Sequence, residues 1–267
     1  MNILKKIILN YLKSRDLEIY KKTLKLKEIE TFEKEAEKYF QIVKSNTMLS
    51  NARLLSLWEQ VLYCEKNNIP GAFVECGTWK GGAMGLMALA NIKFSNRKRH
   101  LHLFDAFTEI CEPDPAVDGE RAINEVRPFV KDKELKGELL PVKGVYDWKG
   151  GPGTLEENRD LLENKIKYDK NYLHYHKGWF QETLPLVSDK IGDIAILRLD
   201  GDFYASTKIC LEYLYSSVVH GGLVIIDDYG TYEGCKKAVD DFIEQKKIKA
   251  LLAHIDSDAC FFVKTEK

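Results

Sequence analysis

An α/β fold with a mostly parallel sheet is what this 267-residue sequence predicts, and three observations predict it. Short apolar runs rich in Ile, Leu and Val recur along the chain, the composition of strands buried on both faces. Stretches long enough for crossover helices separate them. One such run passes directly through a glycine-rich turn into a helical segment. With 45% hydrophobic residues, the chain can bury a full core as one large domain, or one domain with an appendage.

Residues 1–45 are rich in Lys, Glu, Leu and Ile without Gly or Pro, which predicts a helical arm. Such an arm packs on the domain or on a second subunit, or lies on a membrane surface through Lys5, Lys6 and Lys13. The main domain is expected over 46–267. A helix over 48–67 ends at Pro70-Gly71. The first strand is Ala72-Phe73-Val74-Glu75-Cys76, followed at once by Gly77-Thr78-Trp79-Lys80-Gly81-Gly82 and a helix to about Ile92. A second strand over 101–104 ends at Asp105. Between 107 and 153 the pattern dissolves among prolines, glycines and acids, which predicts a structureless lid or binding loop. Thr154-x-x-Glu157 reads as a capping box opening a helix to about Ile166. Strands follow over 172–176, Ile194–Leu199 and 223–226, with a crossover helix over 205–218 and another helix over 233–245. Runs over 251–255 and Cys260–Val263, separated by Asp256-Ser257-Asp258, predict a closing antiparallel hairpin.

Charge and cysteine usage narrow the function classes. Lys+Arg 40 against Asp+Glu 41 gives a formal net charge of -1, which offers no global field for nucleic acid. No apolar stretch reaches the length of a membrane span, and the apolar run at the N-terminus is too short for a signal peptide. Six cysteines (Cys64, Cys76, Cys111, Cys210, Cys235, Cys260) are scattered without a C-x-x-C pair. That is the pattern of reduced thiols in a cytoplasmic protein.

The chemistry concentrates at strand ends. Asp200-Gly201-Asp202 ends one apolar run, and Asp227-Asp228, beginning 27 positions after Asp200, ends the next. If both runs are neighbouring parallel strands, four carboxylates meet at the carboxyl edge of one sheet, where α/β folds bind ligands. Their mutual repulsion is relieved by a cation, and oxygen-only ligation favours Mg²⁺, Mn²⁺ or Ca²⁺ over zinc. Capping of a following helix or turn explains any one of these acids but not all four. The loop Glu75-x-Gly77-x-x-x-Gly81-Gly82 lets backbone approach a ligand at a helix N-terminus. Its acid suits an ammonium better than a pyrophosphate, which points to S-adenosylmethionine. Asp105, followed by Ala106, is placed to accept ribose hydroxyls. Gly178-Trp179 brings an aromatic face close to an adenine, or packs in the core. His174 and His176 alternate with apolar neighbours and read as interior histidines.

The runs 73–82, 178–185, 197–207 and 221–229 resemble the macrocin O-methyltransferase family, the L-R-L-D-G-D-x-Y-x-S-T and D-D-Y blocks most specifically, with matching blocks across about 70–265. The resemblance implies a class I S-adenosylmethionine-dependent methyltransferase fold, Rossmann-like, with a seven-stranded sheet. It implies methylation of sugar hydroxyls, often on antibiotics, dependence on Mg²⁺ (or Mn²⁺), and a homodimer. Carried over residue by residue, Asp200, Asp227 and Asp228 would ligate the metal and Asp202 would be the general base. Glu75, Gly77, Thr78, Gly81, Gly82, Asp105, Ala106, Gly178, Trp179 and Asp200 would line the cofactor site. Catechol-type methyltransferases are similar in their metal acids but place a lysine base where this chain has Phe203. Asp105-Ala106-Phe107-Thr108-Glu109 departs from the family's usual D-S-F-E-G. Two other classes fit parts of the pattern: a glycosyltransferase using Asp200-Gly201-Asp202 as a D-x-D motif, and a non-catalytic module of the same fold.

Overall fold

Five residues with every side chain buried cannot form an edge, and in the computed structural model, which describes residues 26–131 and 133–266, Ala72–Cys76 forms β1 in the interior of the sheet. The other strands are β2 (Leu101–Asp105), β3 (Leu173–Lys177), β4 (Ile194–Leu199), β5 (Val218–Ile226), β6 (Ala253–His254) and β7 (Cys260–Val263). They lie in the order β3-β2-β1-β4-β5-β7-β6. The first five pair in parallel, while β7 runs antiparallel to β5 and β6 antiparallel to β7. The strand order reverses between β1 and β4, so a crevice opens at their carboxyl ends, the ligand position of this architecture.

Alternation along each strand divides the core into two layers. Phe73, Leu101 and Leu103 face a cluster with Trp58, Met84 and Met87. That layer comes from α1 (Leu26–Val43), α2 (Asn51–Lys66) and α3 (Gly82–Phe94). The described end of the expected arm packs on the domain through one face: Ala36, Phe40 and Val43 are buried, and Tyr39 stacks on Trp58 with ring centroids 4.6 Å apart. Lys5, Lys6 and Lys13 lie outside the described residues. Among the described residues no helix is long and apolar enough to cross a membrane.

The segment expected to lack structure contains α4 (Gly119–Val130), a helix despite Pro128 in its last turn. Val126, with Ile123 and Val130 beside it, packs on a small satellite core with Leu135, Val142 and Val145. The helix is amphipathic, but its own proline and the prolines and glycines on either side conceal it in the sequence. The capping box of α5 (Leu155–Arg159) is present in both directions, with Glu157 N donating to Thr154 Oγ1 at 3.1 Å and Thr154 N to Glu157 Oε2 at 3.0 Å. A π turn over Asp160–Lys165 continues it. The opposite sheet face is covered by α6 (Phe180–Val187), α7 (Tyr204–Leu214) and α8 (Glu233–Lys246), with Val74, Leu197 and Val224 packed among Leu184, Leu211 and Phe242. The structure starts β5 at Val218, not at 223, because Gly221 at φ +81° lets the chain turn within a strand that otherwise pairs with β4.

Candidate active site

Backbone hydrogen bonds between adjacent strand tips assemble the site. Gly77 N donates to Phe104 O at 2.8 Å, Asp200 N to Cys76 O at 2.8 Å and Asp227 N to Leu199 O at 2.9 Å. A Cβ on Gly77, at φ +88°, would lie 1.8 Å from Asp200 O. Glycine is therefore required for β1 and β4 to deliver their loops to one point. A cleft of about 490 Å³ opens there, and it brings together Glu75, Gly77, Thr78, Asp105, Ala106, Trp179, Asp200, Asp202, Asp227 and Asp228. Gly81, Gly82 and Gly178 shape the loops from outside this lining: Gly81 packs on Asn158 and Gly82 on the backbone of Asn46.

One oxygen each of Asp200, Asp202 and Asp228 lie within 4.8 Å of one another, a group able to hold a cation. Asp202 does not cap α7. The first amide of that helix, Tyr204 N, donates instead to Asp118 of the 107–153 segment at 2.6 Å. Asp202 is left free to face the other acids, and it does so from a strained backbone. Its φ is +58°, and Phe203 N closes onto Gly201 O at 2.6 Å, a γ-turn with aspartate at its centre. Burial, then the charge of Asp200, holds the Asp202 carboxyl well above the usual carboxylate range. Asp228 is raised by burial and then by Asp202, and its buried Oδ2 has no hydrogen-bond partner among the described residues.

Asp227 is held differently from its neighbour. Its Oδ1 lies 2.6 Å from Arg198 Nη2 and its Oδ2 2.8 Å from Arg53 Nη1. Arg198 Nη1 also reaches Asp200 Oδ2 at 2.8 Å and Glu75 Oε1 at 2.6 Å. Burial pushes the Glu75 carboxyl up to about 8 against the pull of Arg198, and Glu75 Oε2 is buried without a hydrogen-bond partner among the described residues. Asp105 accepts from Thr78 N at 2.7 Å, Trp79 N at 3.0 Å and Phe107 N at 2.6 Å. Thr78 Oγ1 adds a longer bond at 3.4 Å, so Thr78 and Trp79 tie the glycine loop to the strand end while Phe107 N closes on the same carboxylate from its own chain segment.

Sequence reasoning did not single out Arg53, Arg198, Tyr146 or Asp118. Arg198 carried a readable signal, a charge inside the apolar run of β4, whereas Arg53 sits in an ordinary amphipathic helix. Tyr146 lines the cleft from the 107–153 segment. Burial, then Asp202 and Asp200, raises its phenol well above the usual range. The end of that segment rests on the glycine loop: Trp79 Nε1 donates to Gly151 O at 3.2 Å and Lys80 Nζ to Gly150 O at 3.2 Å. His174 and His176 lie outside the cleft, paired with His100 and His102 across the β2–β3 edge.

The chain matches the family profile described as Macrocin-O-methyltransferase (TylF) over residues 2–134 and 156–264. It is 32% identical over 221 residues to the demethyldecarbamoylnovobiocin O-methyltransferase of Streptomyces niveus, covering 83% of this chain and 76% of the relative. Identity to the 8-demethyl-8-(2,3-dimethoxy-alpha-L-rhamnosyl)-tetracenomycin-C 4'-O-methyltransferase of Streptomyces olivaceus is 29% over 218 residues, covering 82% and 75%. The solved structure of the O-methyltransferase NovP superposes with a TM-score of 0.66 at 32% identity, covering 83% of each chain.

Proposed function

Because the chain belongs to the macrocin O-methyltransferase family, we propose that it moves a methyl group from S-adenosylmethionine to a sugar hydroxyl, with Mg²⁺ or Mn²⁺ at the acidic group. The acceptor class comprises glycosides, nucleotide-linked sugars and surface glycans, in line with the rhamnosyl substrate named for one relative. The observation that carries the reading is the meeting, in one cleft, of the glycine loop after β1 with the carboxylates at the tips of β4 and β5. Six free, buried cysteines fit a cytoplasmic setting, and a homodimer is proposed by family likeness.

The residues present fit both groups. The orphaned Glu75 Oε2 is a partner for the ammonium of the methyl donor. The hard oxygens of Asp200 and Asp228, with Asp228 Oδ2 orphaned, suit a hard divalent ion, and Asp202 lies beside them as the base. Asp200 and Asp228 would be ligands, a role supported by geometry and by resemblance; Asp227, with an arginine at each oxygen, is assigned by resemblance alone. A divalent ion there would supply Lewis acidity that lowers the pKa of an acceptor hydroxyl. Asp202 would take up the proton of that hydroxyl during methyl transfer. The 107–153 segment places Tyr146 in the cleft with the acids, and much of the acceleration would come from positioning.

The test is a labelled-methyl screen over sugar acceptors with and without Mg²⁺, run beside Asp202→Asn. The variant is expected to bind S-adenosylhomocysteine and Mn²⁺ as the wild type does while losing turnover by about 10²- to 10⁴-fold. Loss of Mn²⁺ binding would move Asp202 from base to ligand. Failure of the wild type to methylate any glycoside, nucleotide sugar or glycan would overturn the activity.

A further inference from the structure

Arg198 occupies a position where a charge is costly. It lies in an inner strand with 2% of its surface exposed, between Leu197 and Leu199. Replacing a buried ion pair with apolar side chains is often neutral or stabilising, so stability alone does not account for a guanidinium here. Its contacts do. One nitrogen reaches Glu75 at 2.6 Å and Asp200 at 2.8 Å, and another reaches Asp227 at 2.6 Å. Nη1 hydrogen-bonds to both Glu75 and Asp200 while Nη2 makes an ion pair with Asp227, so the tips of β1, β4 and β5 are tied to one planar guanidinium, whose two nitrogens are held at a fixed spacing that a lysine ammonium cannot reproduce. Arg53 of α2 extends the chain of contacts, holding the second oxygen of Asp227 at 2.8 Å and reaching Asp256 at 2.8 Å and Asp258 at 2.7 Å in the β6–β7 turn.

We propose that Arg198 is a positioning residue that couples the two halves of the cleft, with Arg53 anchoring Asp227 from outside. The inference rests on the reading above, in which Glu75 serves the methyl donor and Asp200 and Asp227 serve the ion. A ligand that changes the charge or position of Glu75 shifts the guanidinium, and the guanidinium shifts Asp200 and Asp227. Occupancy of either half then alters the other's affinity, reciprocally.

The probes are S-adenosylhomocysteine and Mn²⁺ alone, so no acceptor is required. Calorimetry gives the S-adenosylhomocysteine affinity with and without Mn²⁺, and electron paramagnetic resonance gives the reciprocal Mn²⁺ affinity. In the wild type each ligand is expected to change the other's Kd by about fivefold or more. In Arg198→Lys, which keeps the charge but loses the planar guanidinium, the change is expected to fall below about twofold while each ligand alone still binds. Arg53→Gln, at the part-exposed end of the network, should at least halve the effect. A wild type that binds both ligands without mutual influence overturns the proposal, as does a folded Arg198→Lys that couples like the wild type. If Arg198→Lys does not fold, wild-type coupling in Arg53→Gln overturns it equally. A wild type that binds neither ligand overturns the functional reading instead.

Discussion

Asp202 is strained where its neighbours are not, and the strain has a readable cost. A non-glycine residue at φ +58° in a γ-turn loses about 1–2 kcal/mol relative to relaxed backbone, and this carboxyl is also crowded by Asp200 and Asp228. Glycine relieves both, against about 0.5–1 kcal/mol of extra chain entropy lost on folding. Asp202→Gly is therefore expected to raise stability by about 1 kcal/mol, roughly 2–4 °C in Tm for a chain of this size, while abolishing methyl transfer. Calorimetry beside a labelled-methyl assay checks it; a lower Tm would show that the turn is not strained. At this scale the sequence was informative where a residue type clashed with its surroundings. Acids ending apolar runs disclosed Asp200, Asp202, Asp227 and Asp228. Arg198 made the same kind of clash inside β4, but its partners were visible only once β1 and β5 lay beside it.

Elements were legible in proportion to how fully they are buried. β1 and β4, covered on both faces, match their apolar runs residue for residue. α4 is amphipathic, but the proline it carries and the prolines and glycines flanking it hid it within the expected loop. The β2–β3 edge lies between these cases. Its histidines alternate as interior residues do, yet they pair with one another: His100 Nδ1 lies 2.9 Å from His174 Nε2 and His102 Nδ1 3.1 Å from His176 Nε2. Burial, then His174 and His176, pushes His102 down to about 3, and burial, then His174, takes His176 to about 4. The unfolded chain, with His near 6.5, binds more protons than the folded one below that pH, so this edge loses stability as pH falls from about 6.5 toward 3. His102 alone accounts for up to about 2 kcal/mol between pH 7 and pH 5. The buried acids Asp202 and Asp228, raised in the folded state, act in the opposite sense. Comparing Tm at pH 7 and pH 5 for the wild type and His102→Gln isolates the contribution of His102: the variant should lose less on acidification, and an equal loss would exclude His102 as the source.

A mostly parallel sheet closed by an antiparallel hairpin was legible because alternating strands and helices leave few ways to wind such a sheet; its strand order and the depth to which the N-terminal segment enters the core were not. Leu26–Val43 looks from its charge like a solvated arm, yet Phe40 is 4% exposed and Ala36 and Val43 are fully buried in the layer shared with α2 and α3. That layer backs Phe73 of β1, and β1 carries Glu75 and the glycine loop, so α1 supports the cleft through two intervening elements. Phe40→Ala leaves a cavity in this layer and is expected to cost about 3–5 kcal/mol. Folded molecules should retain the S-adenosylhomocysteine affinity of the wild type, since the substitution touches no cleft residue. Deleting residues 1–45 removes the layer's outer wall and uncovers Trp58 at once, and should abolish the cooperative thermal transition. A truncated chain that melts cooperatively near the wild-type Tm would make the segment an appendage, and the core would then close on α2 and α3 alone.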